Sequence, residues 1–586
     1  MSQTDSSRSL LYRLFPFLNW LKGYQISFLQ RDAMAGLTVA VVLIPQAMAY
    51  AMLAGMPPVH GLYAAAITPF IAALWGSLSQ LATGPIAIMS LLVLTTLSPI
   101  AEPGSAQFVQ LAYGLAFLVG IIYLVVGLSR LGELMSFISH SAVKGFTSAA
   151  ALIISATQLP HLLGISVSRH EFIFPMLVDI GKNVFNLHIF TFIIGAIAFG
   201  IIHGIKKFRP HFPAGLLALV VTTGAVWIFQ LQEKGVAIIG NIPSGLPHPV
   251  WPPLAFETTL SLLGPAIVIA LVSFAETYSV GKAISAETKQ KVNVDQEFIG
   301  QGLANFVGSF FQSYPVSGSF SRSAINFASG AKTGISSVVS SLVVVVALLF
   351  LTPLLRYIPK AALAALVISA VLMLFHPKEV LKLWKLNRHD GLVALAVFVL
   401  SLLTKPDYAL LIGVMISLVY FLWKTMHPRI VRVTKDPEFN MFVNADVNDK
   451  PSCPQILHLR SDNVMYFANA EYTTDHMLER LAEHDTPVKF LLLDLQAVTH
   501  VDMTGIDALQ VLQEEIGAKE IQLALMGVHL PVMQVFKTSG FFEKLNPDLV
   551  IESRGDAITT LFKRLDHGYC KSTCPYELFL ECPTVK

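Results

Sequence analysis

The sequence predicts a polytopic, all-α membrane domain followed by a small α/β domain. Only 13% of the 586 residues are charged and 54% are apolar, with a mean hydropathy of +0.62. A soluble chain carries about 25% charged residues, so this chain needs a lipid bilayer to cover much of its surface. Apolar runs of helical length follow one another over 32–428, whereas short β-type runs alternate with amphipathic stretches over 452–567.

The composition and motifs exclude several other classes of protein. A disordered chain needs low hydrophobicity and high net charge, and a net charge of +2 is too small for a protein that binds nucleic acid by bulk charge. Residues 1–31 hold no secretory signal and are interpreted as a cytoplasmic N-terminal segment. No phosphate-binding loop or hydrolase motif occurs in the sequence, so we expect neither an enzyme nor a cofactor.

Fourteen membrane-spanning helices are predicted within 32–428 by the criterion of roughly 20 apolar residues per span. They lie at 33–50, 61–77, 83–98, 108–129, 139–163, 187–203, 213–231, 258–281, 297–311, 318–329, 335–351, 361–376, 390–404 and 408–424. The third and tenth are too short to cross alone. Segments on the N-terminal side of the membrane carry nineteen Lys and Arg residues, and those on the other side carry six. The positive-inside rule therefore predicts that both termini are cytoplasmic.

Matching interruptions occur in the two halves of this domain. Pro45 and the pair Gly84-Pro85 interrupt the first half, and Glu276 and Gly318 stand at comparable places in the second. Paired broken segments indicate a transporter binding site at the midplane. Since each half has seven spans, the second half must be inverted relative to the first. Coincidence among many glycines and prolines is the alternative.

The strongest local signal is residues 313–323, SYPVSGSFSRS. Proline and glycine break the backbone, and the helix that follows offers free N–H groups and a positive dipole end to an anion. Arg322 adds a full charge, and the hydroxyls of Ser319 and Ser321 can donate hydrogen bonds to an oxyanion. The alternative is a structural Arg322 that is paired with a carboxylate.

Three further polar features lie in apolar spans. Gly84 and Pro85 open the third span as a second half-helix, for which an ordinary proline kink is the alternative. Gln46 and Tyr50 are four residues apart and share a helix face, so they can line a pocket or bond to a neighbouring helix. Glu276 is a carboxylate deep in the eighth span, which indicates either proton exchange or a fixed ion pair with Arg322.

The C-terminal region predicts a small α/β domain over 452–567 with a largely parallel sheet. Strands are predicted near 456–460, 489–495, 522–528 and 550–553, and helices near 471–483, 505–518, 530–538 and 556–565. Residues 429–451 are interpreted as a linker. Thr504 and Asp507 have the spacing of a capping box, and a phosphate at Thr504 would add charge beside Asp502.

All four cysteines lie in the C-terminal region, three of them in the tail 568–586. His567, Cys570, Cys574 and Cys582 are able to supply four metal ligands, but their spacing matches no standard zinc finger. We therefore expect reduced thiols and no metal.

Five segments of the membrane domain form recognisable motifs: PQAMAYA at 45–51, Pro57 with GLY at 61–63, Gly84-Pro85, GQGLAN at 300–305 and YPVSGSFSRSAIN at 314–326. Together they resemble the SulP family of anion transporters, the sulfate permeases. The turn DMTG at 502–505 resembles that of a STAS domain, the module shared by sulfate transporters and anti-sigma antagonists.

The resemblance implies two inverted seven-span repeats, with a core domain (spans 1–4 and 8–11) that moves against a gate domain (spans 5–7 and 12–14). The anion would bind between half-helices three and ten, with roles for the residues Gln46, Tyr50, Gly84, Pro85, Ser319, Ser321 and Arg322. Glu276 matches the coupling carboxylate of the family. Some bacterial members carry Glu in place of Gln46, and related soluble domains carry Ser-Ser in place of Met503-Thr504.

The expected function is secondary active uptake of sulfate with protons, by a homodimer in a bacterial inner membrane. The STAS domain is expected to bind cytoplasmic partners. Alternatives are transport of bicarbonate, chloride or a C4-dicarboxylate, with sodium coupling in that case, or a passive anion channel.

Overall fold

The structure is a computed structural model that describes residues 15–132, 139–168, 170, 172–208, 212–252, 255–375, 377–404, 406–436, 438, 441–484, 486–551 and 553–585. Residues 1–14 of the predicted N-terminal segment lie outside the described residues. The chain divides into two compact units, Met1–Ser417 and Leu418–Lys586.

The first unit is almost entirely helical, and its described residues also form two very short strands, β1 (Thr83–Gly84) and β2 (Ser317–Gly318). Its helices, with the last one ending in the second unit, are α1 (Phe17–Leu21), α2 (Ile26–Leu53), α3 (Pro58–Trp75), α4 (Ala87–Leu97), α5 (Ala106–Leu128), α6 (His140–Leu163), α7 (Ile173–Asn183), α8 (Ile189–Phe208), α9 (Ala214–Ile228), α10 (Phe256–Thr288), α11 (Val294–Phe310), α12 (Phe320–Ala328), α13 (Ile335–Val346), α14 (Thr352–Leu355), α15 (Lys360–Val371), α16 (Pro377–Leu386), α17 (Arg388–Leu403) and α18 (Pro406–Met426). Each of the fourteen predicted spans matches one helix in this series. The short helices α7 and α16 occupy stretches that the sequence analysis assigned to loops.

Helix length separates complete spans from half-helices. In the part of the chain that the structure describes, nine helical runs are long and apolar enough to cross a membrane. The eleven residues of α4 extend only about 16 Å, and the nine of α12 about 14 Å, at 1.5 Å per residue. Neither crosses a hydrocarbon core of about 30 Å, as predicted for the third and tenth spans.

The spanning helices pack in two groups. In one group, α11 packs against α3 and α5, and α13 packs against α2. In the other, α15 and α17 pack against α6, while α9 and α15 pack against α8. Gly120 of α5 permits one of these close crossings, since a Cβ there would lie 2.5 Å from the backbone nitrogen of Phe306. The two groups correspond to the predicted core and gate.

The second unit is an α/β domain with one six-stranded sheet. The strands are β3 (Ile430–Asp436), β4 (Met441–Asn444), β5 (Ile456–Ser461), β6 (Phe490–Asp494), β7 (Gln522–Met526) and β8 (Val550–Ile551). Their order in the sheet is β4-β3-β5-β6-β7-β8. The helices are α19 (Ala445–Asn448), α20 (Ala470–Ala482), α21 (Met503–Gly517), α22 (Leu530–Thr538), α23 (Arg554–Phe562) and α24 (His567–Ser572). Strands β5 to β8 pair in parallel, and each lies within two residues of its predicted position.

The predicted linker over 429–451 instead contains β3 and β4. Strand β3 pairs antiparallel with both β4 and β5, so it extends the parallel sheet at one edge. The physical reason is burial: Ile430, Val431 and Val433 are each at most 5% exposed. These β-branched residues favour a strand. The polar residues that follow them favoured the prediction of a linker.

The C-terminal tail packs on the α/β domain. Leu578 and Phe579 are buried in the apolar cluster formed by one face of the sheet and helix α23. Cys453 lies against the same cluster, and burial raises the pKa of its thiol to about 12. Without a bound cation, this thiol is therefore protonated at neutral pH.

Candidate functional site

The two broken segments meet through a pair of very short strands. Strand β1 (Thr83–Gly84) precedes α4, and β2 (Ser317–Gly318) precedes α12. They pair antiparallel, with Thr83 opposite Gly318 and Gly84 opposite Ser317. Antiparallel pairing is the arrangement expected of equivalent segments in two inverted repeats. The N-terminal ends of both half-helices consequently lie side by side.

Buried polar side chains hold β2 in place. The amide of Asn305 donates to the Val316 carbonyl (3.1 Å) and accepts from the Val316 N–H (2.9 Å). The Thr277 hydroxyl accepts from the Gly318 N–H at 3.1 Å. Irregular backbone within a membrane domain needs such partners, because lipid offers none.

We expect Asn305→Leu to destabilise the transmembrane domain by about 1 to 3 kcal/mol, because it leaves the buried N–H of Val316 without a partner and its carbonyl with only the Ser273 hydroxyl at 3.5 Å. Thermal unfolding of the purified protein in detergent measures the change. Ser309→Ala is the matched control on the same helix, since the Ser309 hydroxyl only bonds the Phe306 carbonyl of its own turn. Equal stability of the two variants would contradict the assigned role of Asn305.

The segment before α4 is fixed in a similar way. The Ser323 hydroxyl accepts from the Ala82 N–H at 2.8 Å, and the Ser319 N–H donates to the Ala82 carbonyl at 2.9 Å. The Gln301 amide donates to the Thr83 hydroxyl at 2.7 Å. The two helix starts are thus held at a fixed separation by hydrogen bonds between the halves.

The half-helices begin differently from each other. Ser319 is the N-cap of α12, and its hydroxyl accepts from the Arg322 N–H at 3.4 Å. The N-cap of α4 is Ile86, which supplies no side-chain cap. Helix α4 therefore begins two residues after Pro85, not at Gly84-Pro85 as the sequence analysis expected. Its first N–H groups keep the positive end of the helix dipole open to an anion.

Arg322 is completely buried at this junction. Its Nη1 donates to the Pro85 carbonyl at 2.8 Å and lies 3.5 Å from the Gln46 side-chain oxygen. Its Nε and Nη2 are buried and have no hydrogen-bond partner. No carboxylate among the described residues forms an ion pair with it, so the alternative of a structural Arg–carboxylate pair is not observed.

Gly84 stands against the free edge of the guanidinium. Its φ of +145° lies in a region that other residues rarely adopt. A Cβ at this position would lie 3.3 Å from Nη2 of Arg322. Glycine therefore leaves room beside the unpartnered nitrogen.

The predicted side chains of α2 lie at the same place. Gln46 and Tyr50 are 7% and 5% exposed, and Tyr50 lies close enough to Arg322 to interact with it electrostatically. Tyr314, which the sequence analysis did not assign, is also buried beside the guanidinium and is 3.4 Å from the Ser90 hydroxyl. Aromatic and amide groups thus border the arginine.

Ser321 and Glu276 occupy the edge of the site. Ser321 is partly buried in the first turn of α12. One carboxylate oxygen of Glu276, on α10, is buried without a hydrogen-bond partner. Glu276 interacts electrostatically with Arg322 but forms no direct ion pair with it, so the alternative of a fixed pair is not observed either.

Thr504 lies in the α/β domain but is not the helix N-cap that the capping-box spacing predicted. The N-cap of α21 is Asp502, whose carboxylate accepts from the Gly505 N–H at 2.9 Å. Thr504 is an exposed residue of the first turn, so it does not cap the helix.

Comparison with known proteins identifies the family. The model of the Sulfate permease family matches residues 29–397, and the STAS domain model matches residues 445–557. This chain belongs to the sulfate permease family. Membership confirms the predicted family and STAS domain, and it agrees with the expectation that the chain is not an enzyme.

Curated relatives within the sulfate permease family are similar over most of their length. "Sulfate transporter 4.1, chloroplastic" of Arabidopsis thaliana is 35% identical over 93% of this chain and 82% of the relative. "High affinity sulfate transporter 2" of Stylosanthes hamata is 31% identical over 94% of this chain and 86% of the relative.

Solved structures confirm the predicted fold of this family member. The murine anion transporter Solute Carrier 26 family member A9, in its inward-facing state, aligns with a TM-score of 0.86 and 24% identity over 95% of both chains. The transmembrane domain of a cyanobacterium bicarbonate transporter, BicA, aligns with a TM-score of 0.58 and 23% identity, over 67% of this chain and 98% of that one.

Proposed function

We propose that this protein is a secondary active anion transporter that takes up sulfate with protons. The observation that carries the proposal is the buried guanidinium of Arg322, which has two free donors and no acidic partner among the described residues. An unpaired arginine at the bilayer centre costs at least about 2.5–3.5 kcal/mol. A bound anion offsets this cost by supplying the missing charge and hydrogen-bond acceptors.

The arrangement of the free donors favours an oxyanion. Nε and Nη2 form one edge of the planar guanidinium, and this edge matches two oxygens of a carboxylate or sulfate group. A chloride ion can accept from both donors, but it presents a single atom to a fork that is spaced for two oxygens. In this proposal the open start of α4 and the Ser319 and Ser321 hydroxyls bind the remaining oxygens, while Gln46 and Tyr50 close the pocket.

Sulfate is favoured among oxyanions because curated relatives at 31–35% identity are named as sulfate transporters. Transport would proceed by alternating access, in which the group of helices that carries α4 and α12 moves against the group built on α6 and α8. A transport assay must compare sulfate with bicarbonate, chloride and C4-dicarboxylates as substrates.

Uptake of labelled sulfate into proteoliposomes tests the function. We expect accumulation above the external concentration when only an inward proton gradient is imposed, and competition by unlabelled sulfate that exceeds competition by bicarbonate, chloride or a dicarboxylate. Dissipation of sulfate gradients without accumulation would indicate a passive channel. Accumulation that needs sodium and not protons would contradict the proposed coupling.

We expect Glu276→Gln to abolish acceleration of uptake by an inward proton gradient while sulfate still binds. The reason is that this buried carboxylate neighbours the bound anion and is not held in an ion pair. Sulfate uptake at several imposed proton gradients measures the effect. Glu287→Gln, at an exposed position on the same helix, should leave proton-driven uptake unchanged. An unchanged response in Glu276→Gln would exclude Glu276 as the coupling group.

Five finer expectations stay predictions. Both termini are proposed to be cytoplasmic, on the support of the Lys and Arg asymmetry. The bacterial inner membrane stays a prediction, since the relatives described above come from Arabidopsis and Stylosanthes. Assembly as a homodimer and the binding of cytoplasmic partners by the STAS domain rest on the family resemblance. A regulatory role of Thr504 is supported only by its exposure.

A further inference from the structure

The four cysteines of the chain converge on one place in the α/β domain. Cys453 precedes β5, Cys570 lies in α24, and Cys574 and Cys582 lie in the tail that follows. None of them forms a disulfide. All four line the same small cavity, which is partly open to solvent. Residues separated by as much as 129 positions in the sequence are thus gathered by the fold.

The side chains that line the cavity differ from the set of metal ligands that the sequence spacing suggests. His567 does not line it, and the imidazole Nε2 of His567 instead lies 2.9 Å from the Phe562 carbonyl oxygen. Cys453, which is remote in sequence, takes the place of this histidine. The ligand set offered by the structure is therefore four thiols and no imidazole.

The thiols surround the cavity without converging on one point. In the described part of the chain, no group of three or more His, Cys, Asp or Glu side chains is close enough to hold a single metal ion. A single zinc ion requires all four sulfurs at about 2.3 Å from one centre. An iron–sulfur cluster instead spreads its cysteine ligands over separate iron atoms.

We propose that Cys453, Cys570, Cys574 and Cys582 bind an iron–sulfur cluster in this cavity. Four cysteine thiolates are the usual ligand set of such clusters. Three of the four are followed by proline, at Pro454, Pro575 and Pro583, as is the last cysteine of the bacterial ferredoxin pattern.

The surroundings of the cavity suit a cluster. Phe562 and Phe579 contribute apolar walls that limit the access of solvent. The Gln455 side-chain amide donates to the sulfur of Cys570 at 3.2 Å. Hydrogen bonds to ligand sulfurs are among the features by which proteins tune these centres. Gln455 also bonds both the N–H and the carbonyl of Asp566, which fixes the start of α24 relative to β5.

The test uses full-length protein purified without oxygen and reconstituted with ferric iron, sulfide and a thiol reductant, so that the iron(III) of an oxidised cluster is supplied. We expect iron and acid-labile sulfide in equal amounts, about two or four of each per chain as in the two common cluster types, together with visible absorption that dithionite bleaches. Zinc without sulfide, or no bound iron, would overturn the proposal.

Variants assign the ligands. Cys574→Ser and Cys453→Ser should each lose most of the iron, whereas His567→Ala and Ser572→Ala should retain it, because neither side chain lines the cavity. Sulfate uptake and elution as a single species show whether each variant is folded. A folded Cys574→Ser protein with full iron and sulfide content would refute the ligand set.

Discussion

Arg322→Ala is expected to abolish sulfate binding and transport, with a loss of affinity of about 30-fold or more. Removing one partner of a buried, hydrogen-bonded charge pair costs about 2–5 kcal/mol, and each 1.4 kcal/mol is about tenfold in affinity. Among the residues that the structure describes, the guanidinium supplies the only side-chain positive charge that we place at the junction of α4 and α12. Equilibrium binding of labelled sulfate to purified protein measures the loss.

Arg322→Lys separates the contribution of charge from that of the planar fork. An ammonium keeps the positive charge but lacks the two-donor edge formed by Nε and Nη2. If the substrate is an oxyanion, Arg322→Lys should bind sulfate nearly as poorly as Arg322→Ala does. A lysine variant with wild-type sulfate affinity would contradict recognition by the fork, and full affinity in the alanine variant would refute the site.

The sequence was most informative about the broken helices, because a lipid bilayer offers no hydrogen-bond partners to irregular backbone. Arg322 and Gly318 within an apolar region predicted a broken helix whose polar backbone needs partners, and the structure pairs this segment with the one at Gly84. The half-helices were evident because the predicted spans 83–98 and 318–329 are too short to cross a bilayer alone. In the structure their helices have only 11 and 9 residues.

Residues that fix the backbone of the site were harder to assign. Asn305, Thr277 and Ser323 bond backbone groups of the broken segments, yet each of them lies in a helical stretch where many small polar residues occur. Their partners are distant in sequence: Ser323 bonds a residue 241 positions away. A single sequence gives no information about such long-range pairs.

The predictions for the α/β domain failed at its borders. Strand β3 was assigned to a linker because Lys435, Asp436 and the residues after them are polar. The tail was assigned no structure, although Leu578 and Phe579 are buried. In both cases a few apolar residues add to an existing core, so the energetic gain depends on tertiary contacts and not on local periodicity.

Gly84→Ala is expected to lower sulfate transport by at least about tenfold while the protein remains folded. The new Cβ would lie 3.3 Å from Nη2 of Arg322, in the space that the anion needs beside the free edge of the guanidinium. A positive φ at a residue other than glycine also costs about 1–3 kcal/mol, so the variant carries backbone strain as well as steric obstruction. Sulfate uptake and thermal unfolding of the same preparation measure the two effects.

Gly104→Ala distinguishes obstruction from strain. Gly104 also has a positive φ, +84°, but a Cβ there meets no atom within 4 Å. The two variants should therefore lose comparable stability, whereas only Gly84→Ala should lose transport. If both lose transport in proportion to their stability, backbone strain alone explains the effect, and the space beside Arg322 has no role in binding. If Gly84→Ala transports sulfate at the wild-type rate, the anion does not approach the guanidinium from this side.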